Sequence, residues 1–275
     1  MRSILITGSS SGIGYHAATT LKAKGWRVLA TCRKQSDCDR LQGEGLDSFV
    51  LDYEDPKSIE RGFNETMKRT DGTLDALYNN GAYAIPAAVE DLPVEALRKN
   101  FEANFFGWHD LTRRVIPIMR AQGHGHIIQC SSVLGLVAMP WRGSYNSTKF
   151  ALEGLTDTLR LEMRGTGIHV VSIEPGPITS DFRLNARKEF DKWIDWEGSV
   201  RADQYRTKLV PRLYQASKAP DRFELGAEAV TNVLIKALDT DHPRAHYYVT
   251  TPTWIAAILR RILPTSVFDA IAARS

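Results

Sequence analysis

Tyr145 and Lys149 stand four residues apart in Ser144-Tyr145-Asn146-Ser147-Thr148-Lys149. That spacing puts both side chains on one face of a helix, about one turn from each other. A phenol beside an ammonium in a cleft is a proton donor. Free tyrosine titrates near pH ~10, too high for efficient acid–base work at pH ~7. A fixed positive charge nearby favours the phenolate, and each unit of lowering is about 1.4 kcal/mol of differential stabilisation. The pair alone recurs by chance on protein surfaces, and the segments upstream make it informative.

Ile4-Leu5-Ile6 reads as a buried strand, Thr7-Gly8-Ser9-Ser10-Ser11-Gly12-Ile13-Gly14 as a glycine-rich turn, and Tyr15 to Lys24 as a helix. Strand, glycine-rich turn and helix start make a dinucleotide-binding unit. Gly8 allows the tight turn, Gly12 lets the backbone approach a pyrophosphate, and Gly14 lets the helix lie close to the strand. Ser10, Ser11 and Ile13 belong to the same cradle, where the free N–H groups of the first helical turn face the phosphates.

The glycine spacing is Gly-x-x-x-Gly-x-Gly, and here the sequence resembles the short-chain dehydrogenase/reductase superfamily, with closest likeness to aldehyde and ketone reductases and to 17β-hydroxysteroid or retinol dehydrogenase-like members. The resemblance covers almost the whole chain. Asn79-Asn80-Gly81-Ala82 resembles the family's Asn-Asn-Ala-Gly with the last two residues swapped, which moves the glycine's freedom by one position. Asn104 falls at the family's catalytic asparagine. Ile127-Ile128-Gln129-Cys130-Ser131-Ser132 resembles the strand that ends in the catalytic serine, and Ser132 precedes Tyr145 by 13 positions, with Ser131 the lesser candidate. Glu174-Pro175-Gly176-Pro177-Ile178-Thr179 resembles the Pro-Gly motif at the nicotinamide.

The chain of 275 residues is 43% apolar and 24% charged, ordinary for a globular protein. Strand-like segments near 3–7, 27–31, 47–51, 74–79, 126–131, 169–174 and 245–250 alternate with helical patterns. That predicts one α/β domain, a Rossmann-like doubly wound parallel sheet of about seven strands flanked by helices. The net charge of +3 is small and unclustered, which excludes a nucleic-acid footprint. Cys32, Cys38 and Cys130 are odd in number and suit reduced thiols in the cytoplasm. The first strand begins by Ile4, which argues against a signal peptide. His124-Gly125-His126 lacks further ligands nearby and reads as a turn entering a strand, so no metal is expected.

The end of the second strand carries the cofactor preference. NAD enzymes of the family place an acid there to hold the ribose hydroxyls. This chain has Cys32 at that position, followed by Arg33 and Lys34. A guanidinium grips a phosphate with two hydrogen bonds, so NADP(H) is favoured over NAD(H). Asp52 matches the family position that contacts the adenine.

The resemblance implies a mechanism. A hydride passes between NADP(H) and the carbonyl or alcohol carbon of an apolar aldehyde or ketone, and the oxygen's negative charge is met by a proton. Tyr145 supplies the proton, Ser132 holds the same oxygen, and Lys149 holds the nicotinamide ribose and lowers the tyrosine's pKa. Asn104 anchors a relay water, Asn80 and Gly81 line the cofactor cleft, and Pro175, Gly176, Ile178 and Thr179 fix the carboxamide. A hydroxysteroid or retinol dehydrogenase is the neighbouring alternative. A non-catalytic NADP(H) sensor is the alternative of a different class, and such proteins often lack the tyrosine or lysine.

Residues 180–222 are expected to form a substrate lid. It is rich in aromatics (Phe182, Phe190, Trp193, Trp196, Tyr205, Tyr214), which suggests a bulky apolar substrate, and no cationic cluster there demands a charged one. Leu134, Leu136, Met139 and Trp141 are candidates for the opposite wall. Residues 252–272 read as one amphipathic helix, too interrupted to span a bilayer but able to pack on its own domain, on a partner subunit or on a membrane surface. The resemblance implies a homodimer or homotetramer through helices near 92–120 and 144–164.

Overall fold

The computed structural model describes residues 1–214 and 223–273. The element order is β1 (Ser3–Ile6), α1 (Gly12–Ala23), β2 (Arg27–Cys32), α2 (Gln35–Gly43), β3 (Asp47–Val50), α3 (Pro56–Arg69) and β4 (Ala76–Asn79). Then come α4 (Val94–Phe101), α5 (Gly107–Gln122), β5 (Gly125–Cys130), α6 (Gly143–Glu162) and β6 (Ile168–Glu174). The last part holds α7 (Phe182–Trp193), α8 (Ala202–Gln204), α9 (Val210–Tyr214), α10 (Ala227–Leu238), β7 (His246–Tyr248), α11 (Thr251–Ile262) and α12 (Thr265–Ala272).

The strands form a seven-stranded sheet in the order β3-β2-β1-β4-β5-β6-β7, and every neighbouring pair is parallel. Parallel strands cannot be joined by a tight turn, so each is followed by a crossover, and helices cover both faces. The strands are therefore short apolar runs without alternation. Ile4, Leu5 and Ile6 are fully buried, each contributing about 1.5–3 kcal/mol of hydrophobic stabilisation. α1 packs on α10, while α3 packs on α5 and α4 on α6.

Strand order reverses between β1 and β4, and ligands of open parallel sheets bind in the crevice at such a point, outside the strands' C-terminal ends. Gly8 and Asn80 stand at those ends. Between α4 and α5 the rod widens into a π turn over Glu102–Phe106, a device that recurs at functional sites, and Asn104 lies inside it. The expected helices near 92–120 and 144–164 are this rod and α6.

Two segments differ from the sequence-based expectation. The C-terminal helix is two helices, because Leu263 leaves the helical region (ψ 141°) ahead of Pro264. A proline disfavours helix at the residue before it. The lid is built of α7, α8, a second π turn over Tyr205–Leu209 and α9, while its expected stretch 215–222 lies outside the described residues.

Candidate active site

Four residues from three elements converge at the C-terminal end of β4 and β5. Tyr145 and Lys149 face inward from α6, and Lys149 is fully buried. Its Nζ donates to the Cys130 carbonyl at 2.8 Å and lies 5.5 Å from the Tyr145 ring centroid. Ser132 sits just past β5, where its Oγ accepts the Leu134 N–H at 3.1 Å. Its hydroxyl also faces the Tyr145 phenol. Ser131 points the other way, towards Glu153 one turn beyond Lys149, so Ser132 is the serine of this site.

The electrostatics depart from the expectation that Lys149 lowers the tyrosine. Burial pushes the Tyr145 phenol above its ordinary value, the Cys130 thiol adds to the rise, and only the Ser132 hydrogen bond opposes it. Burial in turn lowers the Lys149 ammonium to about 8, with Cys130 and Glu153 opposing. The phenol thus keeps its proton at neutral pH, as a proton donor must.

Asn104 is committed locally. Its Oδ1 accepts the Tyr83 N–H at 3.1 Å, and its Nδ2 donates to the Tyr83 carbonyl at 2.8 Å and to Thr148 Oγ1 at 3.3 Å. The amide ties the π turn to the loop after β4 and to α6. Both of its N–H donors are thus used, while Oδ1 keeps one lone pair.

The glycine-rich turn meets the β4 end as a backbone-to-backbone contact. Gly8 has φ +65°, and a Cβ on it would lie 2.4 Å from the Gly81 Cα. A Cβ on Gly14 would meet the Gly8 carbonyl at 2.4 Å. Asn80 Nδ2 donates to the Thr7 carbonyl at 3.0 Å, and the Asn80 and Gly81 N–H groups both donate to Thr7 Oγ1. Gly81 therefore serves close approach rather than a left-handed turn, which accounts for the swapped motif. Gly12 does adopt φ +56°, and a Cβ there would come 3.1 Å from Ser180 Cβ. Ser11 caps α1 without a side-chain bond, so the first-turn N–H groups, with Ser10 and Ile13 beside them, are free for a phosphate. This cradle fits a dinucleotide.

At the adenosine end, Arg33 is exposed and loosely paired with Glu54 at 3.7 Å, and Lys34 is the N-cap of α2. Asp52 Oδ1 accepts the Glu54 N–H at 3.0 Å. Arg40, which sequence reasoning missed, bonds the Ser10 carbonyl and pairs with Glu44. Opposite the cleft, the Pro175 carbonyl accepts the Val133 N–H at 2.8 Å. Gly176 packs against the Thr250 and Thr253 hydroxyls. Ile178 bridges to Leu225, and Thr179 bonds Leu225 and Glu224.

The family of short chain dehydrogenases matches residues 2–191. The chain is 37% identical over 271 residues to the oxidoreductase YbbO of Escherichia coli, covering 98% of this chain and 93% of that protein. The chain belongs to the short-chain dehydrogenase/reductase family. It is 30% identical to an NADPH-dependent 3-dehydrocapnine reductase of Ornithobacterium rhinotracheale, covering 98% and 96% of the two chains. A short-chain dehydrogenase structure from Streptomyces avermitilis superposes with TM-score 0.78 at 25% identity, covering 98% and 93%. The protein is thus an oxidoreductase of CH–OH and C=O groups that binds a nicotinamide cofactor.

For this family member the lid is less of an apolar wall than its composition suggests. Phe190, Tyr205, Leu209 and Leu213 form a small core of their own with Trp193, Trp196 and Trp141 packed on it, and Tyr214 bonds Asp191. Only Phe182 turns to the site, its ring edge-on to Tyr145 at 5.2 Å. Leu134 packs beside Tyr145 with Ala84 and Ala186. Arg183 on α7 and Arg212 on α9 act electrostatically on Arg142 at the start of α6. That influence was invisible in sequence because the three are spread over 71 positions.

Behind Lys149, Glu153, Glu174 and His246 are the one group with metal-type geometry among the described residues. His246 is shared between Glu174 at 2.6 Å and Asp157 at 3.2 Å. Burial raises Glu174 to about 7, and the Glu174 bond raises His246.

Proposed function

We propose that this protein reduces the carbonyl of an aldehyde or ketone on an apolar chain, using NADP(H). The observation that carries the reading is the inward face of α6, where the buried Lys149 stands behind a Tyr145 whose phenol meets Ser132.

When bound, the nicotinamide supplies the hydride. Tyr145 gives its phenolic proton to the oxygen that gains charge, and Ser132 donates a hydrogen bond to the same oxygen and aligns it. Lys149 holds the cofactor ribose, and its ammonium stabilises the phenolate left on Tyr145. Asn104, held by Tyr83 and Thr148, anchors a relay water behind Lys149. Gly8, Gly12 and Gly14 admit the pyrophosphate, and Pro175 to Thr179 orient the nicotinamide.

Three features support NADP(H): Cys32 in place of an acid, and the adjacent Arg33 and Lys34. The 3-dehydrocapnine reductase relative is itself NADPH-dependent by name. The three cysteines are free and buried, which supports a reducing, cytoplasmic setting. Exposed Phe106, Phe150 and Leu161 on the rod and α6 support assembly through these helices.

The test is Tyr145→Phe, with NADPH oxidation measured against a panel of aldehydes, ketones, oxosteroids and retinal. Turnover falls by about 10²–10⁴-fold while NADPH still binds. A variant that turns over like the wild type sinks the catalytic assignment. Silence of the wild type across the panel, with tight NADPH binding, favours a sensor.

A further inference from the structure

Glu153, Glu174 and His246 come from α6, β6 and β7, so no local spacing in the sequence announces them. They meet one helical turn beyond Lys149, with one ligand atom from each within 4.8 Å of the others. Glu174 is fully buried and Glu153 is 8% exposed. Carboxylates held out of water need counter-charge. Among the described residues, either glutamate makes an ion pair only with His246, whose Nδ1 lies 2.6 Å from Glu174 Oε1 and 3.7 Å from Glu153 Oε2. One imidazolium offsets one carboxylate. Glu153 Oε1 is closed off from water without a hydrogen-bond partner, and so is Ser131 Oγ, which is turned towards Glu153.

The bonds around the group are those that hold metal ligands in place. A ligating histidine gives its second ring nitrogen to a carboxylate, and ligating carboxylates are themselves hydrogen-bonded. His246 Nε2 lies 3.2 Å from Asp157 Oδ1, which leaves Nδ1 facing the glutamates. Asp157 is held in turn by Arg160 Nη2 at 2.8 Å. The Tyr247 N–H donates to Glu174 Oε2 at 3.0 Å, and the Ser172 hydroxyl donates to Glu153 Oε2 at 3.2 Å. Each glutamate keeps its other oxygen for a ligand. Something positive must sit between Nδ1 and Glu174 Oε1. A proton serves one carboxylate, whereas a divalent ion serves both. Tetrahedral zinc with bonds of about 2.0–2.2 Å sets its ligand atoms about 3.3–3.6 Å apart. The separations of 2.6 and 3.7 Å from Nδ1 to the two carboxylates bracket that span. The side chains of His246 and Asp157 are 24% and 46% exposed, which gives an ion a way in.

We propose that Glu153, Glu174 and His246 bind a divalent transition-metal ion of the zinc type, with water in the fourth position and Asp157 orienting the histidine. An imidazole with carboxylates suits zinc better than magnesium or calcium. The ion is structural. It ties α6, which carries Tyr145 and Lys149, to β7 and to the end of β6, where Pro175 and Gly176 follow Glu174.

The experiment strips the full-length protein with a chelator, dialyses it and titrates it with ZnCl₂. The wild type takes up one zinc per chain, and its melting temperature rises; MgCl₂ at the same concentration leaves it unmoved. Cobalt(II) in place of zinc gives the intense visible absorption of a four-coordinate site. Glu153→Gln loses the zinc-induced shift. Asp157→Asn, at a half-exposed position, weakens zinc binding by about 10–100-fold. His126 and His169, whose rings lie 5.1 Å apart, provide the control, and His169→Gln keeps the full shift. No zinc-induced shift in the wild type overturns the site, as does an equal shift in Glu153→Gln. A shift lost in His169→Gln instead shows adventitious binding at that histidine pair. Should Glu153→Gln fail to fold, the cobalt spectrum of the wild type and the zinc affinity of Asp157→Asn decide. A weak, six-coordinate spectrum or an unchanged affinity overturns the proposal.

Discussion

The Lys149 ammonium lies 4.1 Å from the centroid of the Trp108 ring. Trp108 is fully buried, and its Nε1–H donates to the Gly81 carbonyl at 2.9 Å, so one indole connects the cofactor-cleft loop to the lysine. The face of a buried indole favours a cation by about 2 kcal/mol, which offsets part of the burial that brings Lys149 to about 8. Replacing Trp108 with Leu removes that attraction and lowers the lysine further. The alkaline limb of the pH profile of kcat/KM for carbonyl reduction then moves to lower pH, by about one unit or more. Trp108→Phe keeps a weaker ring and moves the limb less. A limb that stays in place in both variants shows that the ring only fills space.

The same lysine dictates a pH dependence of stability. Its folded pKa of about 8 lies below the ordinary ~10.4. Between those values the unfolded chain holds a proton that the folded chain has released, so stability rises with pH. The penalty for the buried charge is fully present below about pH 8 and relieved as pH climbs towards ~10.4. Lys149→Met removes the slope and raises the denaturant midpoint at pH ~7, while turnover is lost. Denaturant melts at several pH values read this directly. A variant less stable than wild type at neutral pH contradicts the sign.

The fold was legible because each parallel strand is a short apolar run followed by a turn and a helix, and Thr7 to Gly14 and Tyr145 to Lys149 carry local spacing. Contacts between distant segments were not legible. Nothing in Asn79-Asn80-Gly81-Ala82 reveals that Gly81 presses on Gly8, yet a Cβ on Gly8 would reach the Gly81 Cα at 2.4 Å. The lid's rings looked like a substrate wall because composition does not say which way a side chain turns. Phe190 and Tyr205 turn inward, to a core that also draws in Ile85 and Ala87. Pro264 was a readable break, overridden in the reading by the apolar spacing on either side of it.

The proposed preference for NADP(H) rests on exposed cations, which makes it separable from catalysis. Arg33 is held only loosely by Glu54 at 3.7 Å, so it can turn to a phosphate, and Arg40 is already anchored at the Ser10 carbonyl. Charged hydrogen bonds of about 1.5–3 kcal/mol predict that Arg33→Ala raises KM for NADPH by about tenfold or more and leaves KM for NADH almost unchanged. Arg40→Ala acts in the same direction. Unchanged NADPH affinity in Arg33→Ala removes that residue from the phosphate site.

The last prediction concerns α11 and α12. Thr253 and Ala257 face the body of the protein, while Trp254, Ile255, Ile258 and Ile262 are exposed on the opposite side, with Val267 exposed on α12. Arg260 and Arg261 lie in the last turn of α11. No described helix is long and apolar enough to cross a bilayer. An apolar strip edged by arginines is the pattern of a helix that rests in a headgroup layer. Binding to vesicles containing anionic lipid is expected to exceed binding to neutral vesicles and to fall as salt is raised, because the arginine contribution is screened. Ile258→Glu with Ile262→Glu, both at exposed positions, abolishes vesicle co-sedimentation and leaves the fold intact. If the wild type stays wholly in the supernatant with both kinds of vesicle, the membrane contact is wrong. A change of molecular mass in the double variant, measured by light scattering, then assigns the strip to a second copy of the chain.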